Sequence, residues 1–412
     1  MELSIDSRWI YYPKENKLIK NGRILVEGNL IVFSGKKSDP KAITAGHDSY
    51  NFPYGIVIPG FVNSHTHLPE TLLRGLCDDQ TLQTWLYEVI WKHEPHMRAE
   101  DAYWGSMLGI AEMLSCGTIG FNDQYFYSNK MAQAVYESGV KAFLSPSIFF
   151  EGNPEANSME KAFQNAKNTF NKWNGKNNRL WIGFGPHAPY TVDIEWFSRI
   201  ADEARKQGTK LHTHFNETEY EIETALKNWG KRPIEYMDEV GITDVIQGGA
   251  HCIFLSEREI EILRDNQISV LHCPKSNLKI GAGIADVPKL INSKVNVCIG
   301  TDGQASNNKL DIIEEIAIEV LIHKGIQKNP ALIPSHEAIR MVTTNTCHLF
   351  PTGVYSGTLA ENTPADIAVI NLDSICTTPI INPVSHLTYA IGRENVSMTV
   401  VDGVIFHQWT FH

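Results

Sequence analysis

Short apolar runs that stop at polar residues recur through the middle of this chain. They close at Ile58–Ser64, Thr118–Asn122, Ala142–Ser145, Trp181–Gly185, Lys210–Thr213, Val245–Gly249, Ile268–Leu271 and Val295–Gly300. Continuous apolar runs of this length read as strands buried on both faces. Several are separated by segments whose apolar residues recur at helical spacing: Ala102–Ser115, Ile194–Gln207, Glu257–Asn266 and Ile312–Lys324. Eight β-α units over about 300 residues predict an α/β fold of the TIM-type (β/α)8 barrel class.

The two ends have a different texture. Arg8–Tyr12, Gly22–Glu27 and Asn29–Phe33 are strand-like and broken by turns, as are Asp366–Ile370, Met398–Val401 and Val404–His407 around Asp402-Gly403. Neither end is long enough to stand alone, so the two are expected to pair into one small β-module. The expected division is 1–57 for its N-terminal part, 58–357 for the barrel and 358–412 for its C-terminal part.

Composition narrows the function classes. The chain has 412 residues, 42% of them hydrophobic, a formal charge of −11 and a pI near 5.8. It has no basic run, which argues against nucleic acid as a partner. No apolar run approaches the roughly 20 residues that span a bilayer, so no membrane partner is expected. Seven cysteines are scattered without a C-x-x-C pair, which suggests free thiols in a reducing compartment. The acidic start lacks the basic-then-apolar pattern of a signal peptide. The expectation is a cytoplasmic protein acting on a small molecule.

The candidate chemistry lies where the apolar runs end. His65 and His67 are two apart, so a strand would point both to the same side. Such a pair is weak evidence alone, because chance gives roughly 0.6 H-x-H pairs in a chain of this His content. Its position after Ile58-Pro59-Gly60-Phe61-Val62-Asn63-Ser64 strengthens it. His214 closes the fifth run, with Glu217 three residues on. Asp302 follows Val297–Thr301, where an ionised carboxylate is costly unless it meets a cation. These residues make a candidate mononuclear metal site: His65, His67, His214 and Asp302 as ligands and Glu217 as general acid/base. Three imidazoles and a carboxylate suit Zn²⁺ and also Fe²⁺. His251 closes the sixth run and can stabilise developing charge. His187 closes the fourth and can bind substrate. His212 is read as a packed core histidine. The lack of a Lys at the end of the fourth run favours one metal ion over two.

The stretches Pro59–His67, Gly185–Tyr190, His214–Thr218, Gly249–Cys252, Ser276–Gly283 and Gly300–Asn308 resemble those of the amidohydrolase superfamily, in the branch of cytosine, guanine and adenosine deaminases. Leu73–Asp79, Trp85-Leu86 and Ile90–Glu94 place the likeness nearest to 5-methylthioadenosine/S-adenosylhomocysteine deaminases. The resemblance implies a barrel with a composite β-sandwich built from both termini, and hydrolytic deamination of an adenosine-type nucleoside. It implies the ligands named above, with Glu217, His251 and Asp302 catalytic. It implies substrate contacts from Glu94, His187 and Trp85, Glu94 holding ribose hydroxyls. A homo-oligomer is suggested only by this analogy. Arginines typical of those enzymes are absent: Pro146 stands at the end of the third run, and Glu151–Asn178 contains no Arg. That points away from S-adenosylhomocysteine more than from methylthioadenosine or adenosine. Deamination or dechlorination of another heterocycle, such as guanine, a pterin or an s-triazine, is the alternative.

Overall fold

The computed structural model describes residues 2–409 except 45, 83, 150 and 152. Four strands open the chain: β1 (Glu2–Tyr12), β2 (Lys17–Glu27), β3 (Leu30–Lys36) and β4 (Asp48–Pro59). The middle holds β5 (Phe61–Thr66), β6 (Thr118–Asp123), β7 (Lys141–Leu144), β8 (Ser147–Ile148), β9 (Leu180–Ile182) and β10 (Gly185–Pro186). It continues with β11 (Leu211–Phe215), β12 (Ile246–His251), β13 (Ser269–His272) and β14 (Val297–Ile299). The chain ends with β15 (Ile367–Asn371), β16 (Val396–Val401) and β17 (Val404–Gln408). Contacts divide it into two units, one of Met1–Asn63, Ala111–Gly120 and Asp311–His412, the other of Ser64–Ile110 and Phe121–Leu310.

In the first unit both ends of the chain share one sheet, in the order β17-β16-β15-β4-β1-β2-β3. β1 runs parallel to β4, and the other neighbours pair antiparallel. Alternate residues of the strands fill one core: Leu3 and Ile5, Ile24 and Val26, Ile367 and Val369, Met398 and Val400. Each such side chain contributes about 1.5–3 kcal/mol when buried. Arg23 ties the sheet to the loop beyond β3. Its guanidinium donates to both Asp6 oxygens at 2.6 and 2.8 Å and to the Ala42 carbonyl at 2.8 Å.

The run expected as a single strand over Ile58–Ser64 is split. Ile58 and Pro59 belong to β4 and pair with β15, whereas β5 starts at Phe61. Gly60 between them donates to the Asp366 carbonyl at 3.0 Å, and Phe61 donates to the Gly117 carbonyl at 2.9 Å. The chain therefore changes partners across one residue, and a Cβ at Gly60 would collide with Ile119.

The second unit holds the ends of β5 and β6 and the other barrel strands. Two four-stranded sheets run β5-β6-β7-β9 and β11-β12-β13-β14. A parallel bridge between Phe184 and Leu211 joins them on one side. On the other, the Thr301 and Asp302 amides donate to the His65 carbonyl at 3.1 and 3.0 Å. Eight strands thus close into the expected barrel. Its helices follow their sequence signals. Ile194–Gln207 is capped by the Asp193 carboxylate and ends at Gly208 with φ +65°. Glu257–Asp265 starts with a reciprocal Ser256/Glu259 capping box. Among the described residues no helix is long and apolar enough to cross a membrane.

Gly60→Ala should destabilise the protein by about 1–3 kcal/mol through overpacking. Thermal unfolding measures this, and an unchanged Tm would mean that Ile119 yields freely.

Candidate active site

Every polar group of the centre sits where a strand ends, and several sit on backbone that side chains rarely adopt. Asn216 (φ 51°), His251 (φ 69°), Cys252 (φ 52°) and Asp302 (φ 63°) are all left-handed. Each such residue costs of order 1–3 kcal/mol. The kinks turn the chain sharply at the mouth of the barrel, where the side chains converge.

Each of three imidazoles is held by its outer nitrogen. The His65 Nδ1 is 2.8 Å from His212 Nε2, His67 Nδ1 donates to the Gln124 carbonyl at 2.5 Å, and His214 Nδ1 donates to the His187 carbonyl at 2.8 Å. This fixes their Nε2 atoms toward one another. His67 and His214 Nε2 are 3.3 Å apart, and Asp302 Oδ1 lies 3.4 Å from His65 Nε2 and 3.3 Å from His67 Nε2. Four donors bonded at roughly 2.05 Å around a tetrahedral zinc ion stand about 3.3 Å from one another. The spacing of His65, His67, His214 and Asp302 fits such an ion. The other Asp302 oxygen accepts from Ser276 Oγ at 2.6 Å and Ser306 Oγ at 2.9 Å. Asp302 does not cap the helix that follows, because Gly303 holds that position.

The electrostatics fit the same picture. Burial pushes the Asp302 carboxyl up, but hydrogen bonds from His65 and His67 outweigh it and hold the group well below the usual range. Burial lowers His67, yet Asp302 raises it further, to about 10. His65 falls to about 4, chiefly through burial. One imidazole thus keeps a proton on the nitrogen that faces the cluster, where a cation would replace it.

Glu217 and His251 stand beside the cluster, with Glu217 Oε1 3.7 Å from His251 Nε2. Asn277 Nδ2 donates to His251 Nδ1 at 3.1 Å, which leaves the His251 proton on Nε2, toward Glu217. The Glu221 carboxylate accepts from the Asn216 and Glu217 amides at 2.8 and 3.1 Å and fixes the Glu217 backbone. Burial, then the charge of Asp302, lift Glu217 to about 8.

A pocket opens over these groups. Trp85, Leu86, Ile90, Trp91, Phe126 and Phe149 form apolar walls, and Glu94, His187 and Glu70 add polar positions. Tyr125 donates to Glu94 Oε1 at 2.5 Å, and burial raises Glu94 to about 7. His187 packs on Phe149 with ring centroids 4.5 Å apart, and burial lowers it to about 3. None of the described residues lining the pocket is a lysine or arginine.

The amidohydrolase family model matches residues 56–406. The chain belongs to the amidohydrolase family. It is 38% identical to a 5-methylthioadenosine/S-adenosylhomocysteine deaminase of Dictyoglomus turgidum, over 95% of this chain and 90% of that protein. It is 38% identical to a 5'-deoxyadenosine deaminase of Methanocaldococcus jannaschii, over 94% and 91%. An adenosine deaminase from Xanthomonas campestris, solved with bound zinc, superposes with a TM-score of 0.94 at 30% identity, covering 98% of this chain and 92% of that one.

All the residues singled out in the amidohydrolase sequence meet here: His65, His67, His214 and Asp302 in the cluster, with Trp85, Glu94, His187, Glu217, His251 and Asp302 at the pocket. Sequence reasoning missed the groups that hold them. His212 is buried in the barrel as expected, but its Nε2 meets His65 Nδ1; the alternation of His212 and His214 along β11 was its one signal. Gln124 acts through its backbone carbonyl, which no side-chain pattern reveals. Tyr125 and Glu221 had no motif of their own, and Ser276, Asn277 and Ser306 lay in stretches that carried the family likeness without being given a role.

Because His67 must lose a proton to admit a cation, zinc binding should release at least one proton near pH 7. Affinity should weaken about tenfold per pH unit on acidification. Calorimetry in buffers of different ionisation enthalpy counts the protons, and pH-independent affinity would contradict the charge state of His67.

Proposed function

We propose that this amidohydrolase is a metal-dependent aminohydrolase that converts an adenosine-type nucleoside to its inosine analogue and ammonia. The observation that carries the reading is the four-donor cluster beside Glu217 and His251, at the floor of a pocket that also holds Glu94. The names of the relatives agree with it. His65, His67, His214 and Asp302 would hold one divalent ion, for which Zn²⁺ is the best fit and Fe²⁺ is also suited. The barrel of residues 58–357 carries this chemistry, with 1–57 and 358–412 forming the terminal module. Free cysteines at all seven positions accord with a reducing, cytoplasmic setting.

A bound ion of this kind supplies hydroxide from water at neutral pH. The residues do the rest. Glu217, whose proton affinity is raised toward neutrality by burial, takes the proton of the water and passes it to the ring nitrogen beside the amino-bearing carbon. That carbon becomes electrophilic, and the C–O bond forms there. His251 Nε2 donates to the new oxygen as charge grows on it. Asp302, at the same face, takes the proton of the new hydroxyl and helps deliver it to the amine. The C–N bond then breaks and ammonia leaves. Glu94, buried and braced by Tyr125, holds ribose hydroxyls. Trp85 and His187 complete the substrate contacts.

Ammonia release from a panel of adenosine nucleosides, guanine, pterins and triazines tests the substrate. Turnover confined to adenosine nucleosides is expected, and turnover only on free bases or triazines would discard it. Glu217→Gln should keep its metal and lose about 10²–10⁴-fold in kcat. Asp302→Ala should lose metal and activity together, and full metal content would place Asp302 outside the ligand set.

A further inference from the structure

The mechanism above leaves one buried acid of the pocket without a task. Glu70 lies in the turn Leu68–Leu73, three residues beyond His67, and is 4% exposed. One end of its carboxylate is held by the Ala305 amide. The other oxygen, Oε2, is buried and has no hydrogen-bond partner. Glu70 nevertheless lines the pocket. An unmade hydrogen bond on a buried carboxyl destabilises a protein unless something completes it.

The surroundings are shaped around this oxygen. A Cβ at Gly303 would collide with Oε2, so the carboxyl occupies room that only glycine leaves. The Glu70 amide donates to the His67 carbonyl at 3.0 Å, and Gly303 directly follows Asp302. Glu70 thus lies beside His67 and against the residue that follows Asp302. The reacting carbon must lie at that cluster, so the part of the substrate within reach of Glu70 is the heterocycle rather than the sugar.

We propose that Glu70 is a further substrate-binding residue, whose Oε2 completes its hydrogen bonding with a polar atom on the edge of the heterocycle. The proposal rests on the deaminase reading for the identity of that ring. It assigns ring recognition to Glu70 and leaves sugar recognition to Glu94.

The test compares zinc-loaded wild type with Glu70→Gln, Glu70→Leu and Gly303→Ala. Metal content, kcat and KM for 5'-deoxyadenosine, and calorimetric affinity for 9-methyladenine, which has the ring without the sugar, are the readouts. Glu70→Leu should keep its metal and lose about 30-fold in kcat/KM, with a matching loss for 9-methyladenine. Glu70→Gln, which keeps a polar group of the same shape, should recover most of both. Gly303→Ala should resemble Glu70→Leu by displacing the carboxyl. Equal affinity of wild type and Glu70→Leu for 9-methyladenine would overturn the proposal. So would a Gln variant as impaired as the Leu variant, or a loss of metal from the Leu variant. A wild type that binds 9-methyladenine but releases no ammonia from any adenosine nucleoside would overturn the deaminase reading alone, and the binding comparison would still decide the role of Glu70.

Discussion

Three imidazoles and a carboxylate crowd together, with contacts of 3.3–3.4 Å from His67 to His214 and from Asp302 to His65 and His67, and nothing in an apolar barrel makes that arrangement favourable by itself. A buried carboxylate needs a positive neighbour, and a proton on His67 fills that place for Asp302. The rest of the centre serves this one constraint. Hydrogen bonds to His212, Gln124 and His187 keep the rings from turning away. Ser276 and Ser306 hold the far oxygen of Asp302. Left-handed residues at the strand ends place the side chains. Stability is given up locally in an arrangement where a cation would find its ligands in place, which would lower the cost of ordering them on binding.

The same crowding explains why neighbouring acids differ. Asp302 is driven low because His65 and His67 lie against it, His67 with its proton. Glu217, a short distance away, has no such donors and is driven high by burial. Two carboxyls of nearly the same chemistry are thus set apart, one held as an anion and the other raised toward neutrality.

The barrel and the residues of its centre were legible because both depend on chain-local patterns. Eight apolar runs ended in polar groups, and a strand pointing inward at residue 65 does so again at residue 67. The supports were hidden for physical reasons. Gln124 contributes a carbonyl that every residue possesses. Asn277 and Ser276 reach Nδ1 of His251 and Oδ2 of Asp302 across 26 residues of sequence in each case. The boundary at Gly60 was blurred because Ile56–Pro59 and Phe61–Val62 are equally apolar. Only the hydrogen-bond partners show that one stretch joins β15 while the other opens the barrel.

The apolar wall of the pocket comes largely from one short piece of chain. Leu82, Trp85, Leu86, Ile90 and Trp91 follow one another within ten residues, and Trp85, Leu86 and Ile90 pack with Ala305 into a cluster of their own. The groups that would perform the reaction, by contrast, are spread over four strand ends. Mutation can therefore reshape most of the apolar wall in a single stretch of gene while the polar centre beneath stays untouched. A lineage built this way can wander among related amines without passing through a form that has lost its chemistry.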